Sequence, residues 1–167
     1  MKLFPTLKNI VLKIRSIEDK IDDINTSLYN VDDFIVDQGT VTATHSGVGS
    51  HSITWTYRKW NSGVAELWGV RTFSSLAVTT SWNNGFYYSG GNDANYVWAI
   101  YPTNYFKSNT TPNCFASLYS SSNSLFLMDI GTNTAGAGST PRWHAVRSGS
   151  ATVNNVQVAF HAIGVWK

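Results

Sequence analysis

Charge is scarce in this 167-residue chain: Asp, Glu, Lys and Arg together supply 13% of it, against the ~25% usual for a globular domain. With 43% hydrophobic and 14% aromatic residues, that scarcity excludes a disordered chain or a heavily solvated helical one. An excess of either sign is also missing. The formal net charge is +2 and there is no Lys/Arg-rich run, so nucleic acid is not an expected partner. The single cysteine, Cys114, excludes an intrachain disulfide. Its place in NCFASLY, between apolar alternates, marks it as a small core residue. Long apolar runs are absent too: Lys8 and Lys13 interrupt the leading MKLFPTLKNIVLKIR. Neither a signal peptide nor membrane insertion is expected, and a chain made in the cytoplasm would leave the cell by a non-secretory route such as lysis.

Catalytic signatures are missing as well. There is no HExxH, GxSxG, Walker loop or CxxC pair, and GAGST lacks the lysine of a phosphate-binding loop. His45, His51, His144 and His161 do not have helical metal-ligand spacing. His45 and His51 are close enough to meet across a turn, but a structural role is the simpler reading. Hydrolysis by a carboxylate pair would have to draw on Asp37, Glu66, Asp93 and Asp129, none of which sits in a recognisable motif. No enzymatic activity, metal or cofactor is expected.

What charge there is sits unevenly. Half of the charged side chains fall in residues 1–36, a composition shift that marks two architectures. In the first, Leu7, Ile14, Ile21, Leu28 and Ile35 occupy heptad position a, and Leu3, Ile10, Ile17, Ile24 and Val31 position d. A strict 3.5-residue period requires left-handed supercoiling against partner helices, and isoleucine at both positions favours trimers or tetramers over dimers. Lys13 at g and Glu18 at e suit a parallel arrangement. Pro5 belongs at the helix start, and the period breaks after about Phe34, at VDQGT. The expected element is a stalk over 1–36, roughly 45 Å long at 1.5 Å per residue. The alternative is one amphipathic helix packed on its own domain.

Residues 37–167 read as all-β. Short β-branched or aromatic segments (GTVTAT, HSITWTYRKW, VAELWGV, LAVTTSW, GFYYS, YVWAIY, CFASLYS, SLFLMDI and VNNVQVAFHAIGVW) alternate with Gly/Asn/Ser/Thr clusters. Ile53, Trp55 and Tyr57 share one face, as do Val156, Val158, Phe160 and Ala162. Strands at this spacing predict an antiparallel sandwich or barrel.

The stretch WTYRKWNSGVAELWG, with the closing AFHAIGVWK, resembles the C-terminal head domains of tail-fibre and receptor-binding proteins from phages and prophages of Gram-positive bacteria. The closing aromatic-x-AIG is also similar, more loosely, to H-type lectins, which are small antiparallel β-sandwiches. The resemblance covers about Asp33 to Lys167. It implies a mostly β homotrimer, with a parallel trimeric coiled coil opening into a β-sandwich head. Such a protein would be carried on the virion, joined to other virion proteins through its N-terminal stalk, and would bind a bacterial surface polysaccharide or cell-wall glycan. A purely structural fibre-tip or collar module and a glycan depolymerase are the alternatives.

Two aromatic groups compete for the site. Trp55, Trp60 and Trp68 surround the Asn61–Gly63 turn and are expected in a core or trimer interface. Trp55 and Trp68 are taken as cross-strand neighbours, and Arg58 with Glu66 as an interchain or cross-strand ion pair. The segment SWNNGFYYSGGNDANYVW instead mixes rings with Asn and Asp. Sugars need an aromatic face for their C–H patch and planar amides for their hydroxyls, and turn-rich segments supply both. The expected ligand contacts are Trp82, Asn84, Tyr87, Tyr88, Arg142 and Trp143, in loops near protomer boundaries.

Overall fold

The computed structural model describes residues 12–22, 33–90, 94–120, 124–129 and 138–167. The chain divides into two units, Met1–Phe34 and Ile35–Lys167. Residues 12–22 form a helix, α1, and every side chain on it is exposed, including the seam residues Ile14, Ile17 and Ile21. Pro5 and the seam positions Leu3, Leu7, Ile10, Ile24, Leu28 and Val31 lie outside the described residues. Ile35, the last position of the expected seam, is the first residue of a strand and pairs with Trp60. Among the described residues no helix is long and apolar enough to cross a membrane.

The second unit is mostly β, in two antiparallel sheets. The strands are β1 Ile35–His45, β2 His51–Trp60, β3 Val64–Val78, β4 Thr80–Ser81, β5 Phe86–Tyr88, β6 Asn113–Tyr119, β7 Phe126–Asp129, β8 Trp143–Ser148 and β9 Ala151–Val165. The five-stranded sheet runs β1-β2-β3-β9-β6 and the four-stranded sheet β4-β5-β8-β7. Alternation decides which side chains go in. Ile53 and Trp55 of β2, Leu67 of β3, and Val156, Val158 and Phe160 of β9 point into one hydrophobic cluster with Trp143 and Ala145 of β8. Both sheets therefore share a core. Halfway along the β3–β9 pair the phase shifts: Ser74, Ser75, Asn154 and Asn155 are all exposed, with Asn155 at φ 54°. That irregularity lets Leu76, Val78 and Val153 rejoin the core.

One expected strand is absent. YVWAIY forms only isolated bridges, Val97 to Trp143 and Ile100 to Ser139, because Val97, Trp98 and Ala99 are all buried and offer no alternating face. In its place, WHAVRS forms β8.

The two ends of the aromatic-rich motif meet. Trp166 donates its indole N–H to the Trp60 carbonyl at 3.0 Å and its backbone N–H to the Gly63 carbonyl at 2.9 Å. The Lys59 ammonium lies 4.7 Å from the Tyr105 ring centre and 5.2 Å from that of Trp166. Two glycines permit the close packing. A Cβ on Gly69 would fall 2.8 Å from side-chain atoms of Ile53 and Trp55, and one on Gly164 would fall 2.8 Å from Phe106.

Candidate functional site

The β2–β3 hairpin carries structural rings on its inner side. Trp55 is fully buried and donates its indole N–H to the Ile100 carbonyl at 2.9 Å. Trp68 pairs in register with Thr56, and Trp55 with Gly69, so the two tryptophans occupy opposite faces of the sheet instead of packing together. Arg58 and Glu66 are register partners. The guanidinium lies 5.3 Å from the Trp68 ring centre, while the Glu66 carboxylate approaches His161 at 3.9 Å.

The β4–β5 hairpin behaves differently. Phe86 N–H donates to the Asn83 carbonyl at 2.9 Å, and Trp82 N–H to the Phe86 carbonyl at 2.9 Å. The central residues Asn84 and Gly85 have φ of 49° and 84°, the paired positive angles of a type I′ turn, which asparagine and glycine tolerate best. This tight turn sets Trp82 beside Phe86. Phe126 of β7 lies across β8 in register with Val146, and these side chains with Asn83, Asn84 and Met128 line an open groove of about 460 Å³. Trp82, Phe86 and Phe126 are 55%, 42% and 48% exposed, so their faces are available to a ligand.

Register continues the surface away from the groove. Tyr88 opposes Val146 and Met128 opposes His144. The His144 ring lies 4.5 Å from that of Tyr88 and 5.4 Å from that of Tyr96. Its Nδ1 donates to the Ser89 carbonyl. Burial lowers the His144 pKa, partly opposed by that hydrogen bond, so the ring is neutral near pH 7. Gly90 makes the ring pair possible, because a Cβ there would fall 2.7 Å from both His144 and Tyr88. The Arg142 guanidinium lies 5.9 Å from the Tyr96 ring and 5.3 Å from the Trp98 ring.

Behind Trp98 stands a polar support. The His45 and His51 rings meet its edge at 4.9 and 4.8 Å. His51 is held at both nitrogens: Ile100 N–H donates to Nε2 at 3.2 Å, so Nδ1 carries the proton that goes to the Gly49 carbonyl at 2.8 Å. Burial, with the nearby Arg71 charge adding to it, lowers its pKa to about 4. Arg71 is itself buried, donating to the Trp98 carbonyl at 2.5 Å and lying 4.1 Å from the Phe73 ring centre. Burial lowers its pKa to about 10, and it stays cationic at neutral pH. The two histidines brace Trp98, and no group of three or more metal-binding side chains occurs among the described residues.

The six expected ligand contacts thus separate. Trp82 and Asn84 line the groove, and Tyr88 continues it. Arg142 stands farther along, over Tyr96 and Trp98. Tyr87 is half-buried and packs against the core. Trp143 is 9% exposed, lies 5.9 Å from Phe160, and exchanges two backbone hydrogen bonds with Val97 at 2.9 Å. It is a packing residue in this fold. Phe86, Phe126, Met128 and Val146 complete the groove, and the alternation of SLFLMDI was the signal for Phe126. Asn92 and Asp93 lie outside the described residues.

A second groove, of about 880 Å³, follows Val41–Thr44 of β1 and the 100–108 loop. Tyr101 and Phe106 in its wall are buried, and Trp166 is flanked by the Lys59 and Lys167 ammonium groups. Among the described residues that line it, no ring is as exposed as Trp82. No protein-family model, curated protein or solved structure matches the chain.

Proposed function

We propose that this chain is a non-enzymatic phage adhesin: a tail-fibre or receptor-binding protein whose β-sandwich head, residues 35–167, attaches to bacterial surface polysaccharide or cell-wall glycan. Residues 1–34, two fewer than the expected 1–36 because Ile35 and Val36 open the first strand of the head, form the trimeric coiled-coil stalk that joins it to other virion proteins. One observation carries the reading. Trp82, Phe86 and Phe126 present exposed ring faces in a single groove with Asn83 and Asn84 on its rim, the pairing of apolar platform and amides that sugar recognition uses. A fibre-tip module with a purely structural role has no need of such a groove. The residues that line it include no carboxylate, which favours binding over hydrolysis by paired acids. Three copies of a shallow site on a homotrimer give avidity on a polyvalent wall, so weak single sites suffice. Glycan-array binding by the purified full chain, lost on Trp82→Ala, tests the reading. Binding that survives this substitution, or hydrolysis of the bound glycan, overturns it.

A further inference from the structure

The outer face of the five-stranded sheet, opposite the core, is covered by no other strand of the second unit. Antiparallel register lays its side chains in rows. One row, Thr40, Thr56, Trp68, His161 and Phe115, runs from edge to edge of the sheet. The Trp68 and His161 rings stack at 5.2 Å and 8°, and Phe115 lies 6.3 Å from His161. Phe115 is 64% exposed and Tyr119, four residues along β6, is 74% exposed, with Val70 also open on β3. Large apolar groups contiguous on one face mark an interaction surface.

Charge, shape and the N-terminal helix indicate what covers it. Arg58 and Glu66 are register partners on this face, and the rows around them are mainly Thr, Ser, Asn, Gln and apolar residues. An identical copy therefore meets no repulsion, and an anionic surface finds no basic patch. A groove of about 620 Å³ opens beside Trp68, between Ser52, Thr54 and Thr56 on β2 and Val70 and Thr72 on β3. The exposed rings that would fill it project from β6, three strands away in the order β2-β3-β9-β6. One chain carries both hollow and knob but cannot join them, whereas the knob of one copy can enter the hollow of the next. Such a heterologous contact closes into a ring when the rotation permits. Helix α1 meanwhile exposes Ile14, Ile17 and Ile21 at a spacing that further copies of the chain bury, which raises the local concentration of identical sheets.

We infer that this face docks a second copy of the chain, with Phe115 and Tyr119 of one copy seated in the groove beside Trp68 of the next. The inference rests on the homo-oligomeric part of the proposed function and is independent of the glycan groove, which lies on the other sheet.

Hydroxyl-radical oxidation of the full chain, read by peptide mass spectrometry beside sedimentation velocity, tests it. In the multi-chain species Trp68, Phe115 and Tyr119 should oxidise several-fold more slowly than Trp82 and Phe86. In the F115E/Y119E double variant, Trp68 should become several-fold more reactive with the circular dichroism unchanged. If that variant misfolds, Thr54→Arg, at an exposed position beside the groove, is expected to give the same unmasking. A multi-chain wild type whose Trp68 oxidises as fast as in the variant overturns the docking and leaves stalk-driven assembly standing. A single-chain wild type at micromolar concentration overturns both.

Discussion

The β2–β3 and β4–β5 hairpins are both built on an asparagine-led turn containing glycine, and both carry tryptophan close by. Yet Trp55 is 0% exposed and Trp82 is 55% exposed. The difference lies in what each hairpin belongs to. β2 and β3 are 10 and 15 residues long and sit inside the five-stranded sheet with neighbours on both sides. Their inward rings meet a second sheet and lose their water. β4 and β5 are 2 and 3 residues long, and β4 is an edge. With so little ladder, the turn itself fixes Trp82 and Phe86, and nothing among the described residues covers them. Ring density alone says nothing of use. Strand length and position in the sheet decide whether an aromatic holds the fold or faces a ligand.

The largest effect expected from this contrast is at Trp55. Trp55→Ala should cost about 3–5 kcal/mol, as for other buried large aromatics, with the Ile100 carbonyl also losing its donor. Equilibrium denaturation with urea measures it. A loss below about 1 kcal/mol, the range of surface substitutions, would erase the distinction between the hairpins.

Gly69→Ala comes next. The added methyl meets Ile53 and Trp55 at 2.8 Å, and overpacking of this kind costs about 1–3 kcal/mol. The same substitution at Gly85, where nothing lies within 4 Å, is opposed only by its φ of 84°. Thermal melts of the two variants should therefore rank Gly69→Ala as the less stable.

How far the sequence disclosed this architecture depends on the element. HSITWTYRKW was legible to the residue as β2, because three inward and three outward positions alternate without interruption. β8 was hidden: Ala145 and Val146 are both buried, so WHAVRS shows no period of two. YVWAIY misled for the opposite reason, since β-forming residues there are enclosed on all sides, with Trp98 held between His45, His51 and Arg142. The candidate groove was half legible. The asparagines and glycine of SWNNGF announced the turn that displays Trp82. Which of Phe86, Tyr87 and Tyr88 faces outward depends on where the core lies, and Phe126 comes from a strand far along the chain. The same ambiguity placed Trp143 beside Arg142 in the expected site, when one step along β8 carries it into the core.

A smaller effect is expected from pH. His51 has a folded-state pKa lowered to about 4 from the ordinary 6.5. Between those values the unfolded chain takes up a proton that the folded chain refuses, because burial, with the Arg71 charge nearby, disfavours the charged ring. Stability is therefore full above about pH 6.5, falls as pH drops toward 4, and levels off below. His144, lowered in the same direction by burial, adds to the decline with the same sign. Denaturation midpoints measured across that window should show a shallower slope in His51→Gln than in the parent. An unchanged slope would mean that His51 does not hold its place as a neutral brace for Trp98.

The smallest stability effect belongs to the second hairpin, and it separates holding the fold from serving the surface. Trp82 and Phe126 converge on the groove from the β4–β5 turn and from β7, and each leaves about half of its area in water. Removing each ring strips only the half of its area that is buried, so the double variant Trp82→Ala/Phe126→Ala should lose about 1 kcal/mol per site, half of what full burial of a large apolar side chain contributes. On the proposed reading, its binding to bacterial glycan should nevertheless disappear. Stacking against a sugar's C–H face needs the exposed ring itself, and the amides of Asn83 and Asn84 cannot replace it. In the proposed homotrimer avidity would amplify the loss, since weakening each of three weak sites compounds across the assembly. Asn84→Gly is the finer probe, since glycine keeps the positive φ of the turn and removes only the amide. It should preserve the melt and reduce adsorption partially. A double variant that still adsorbs at the parent's level, with an intact oligomer, would move recognition off this sheet altogether.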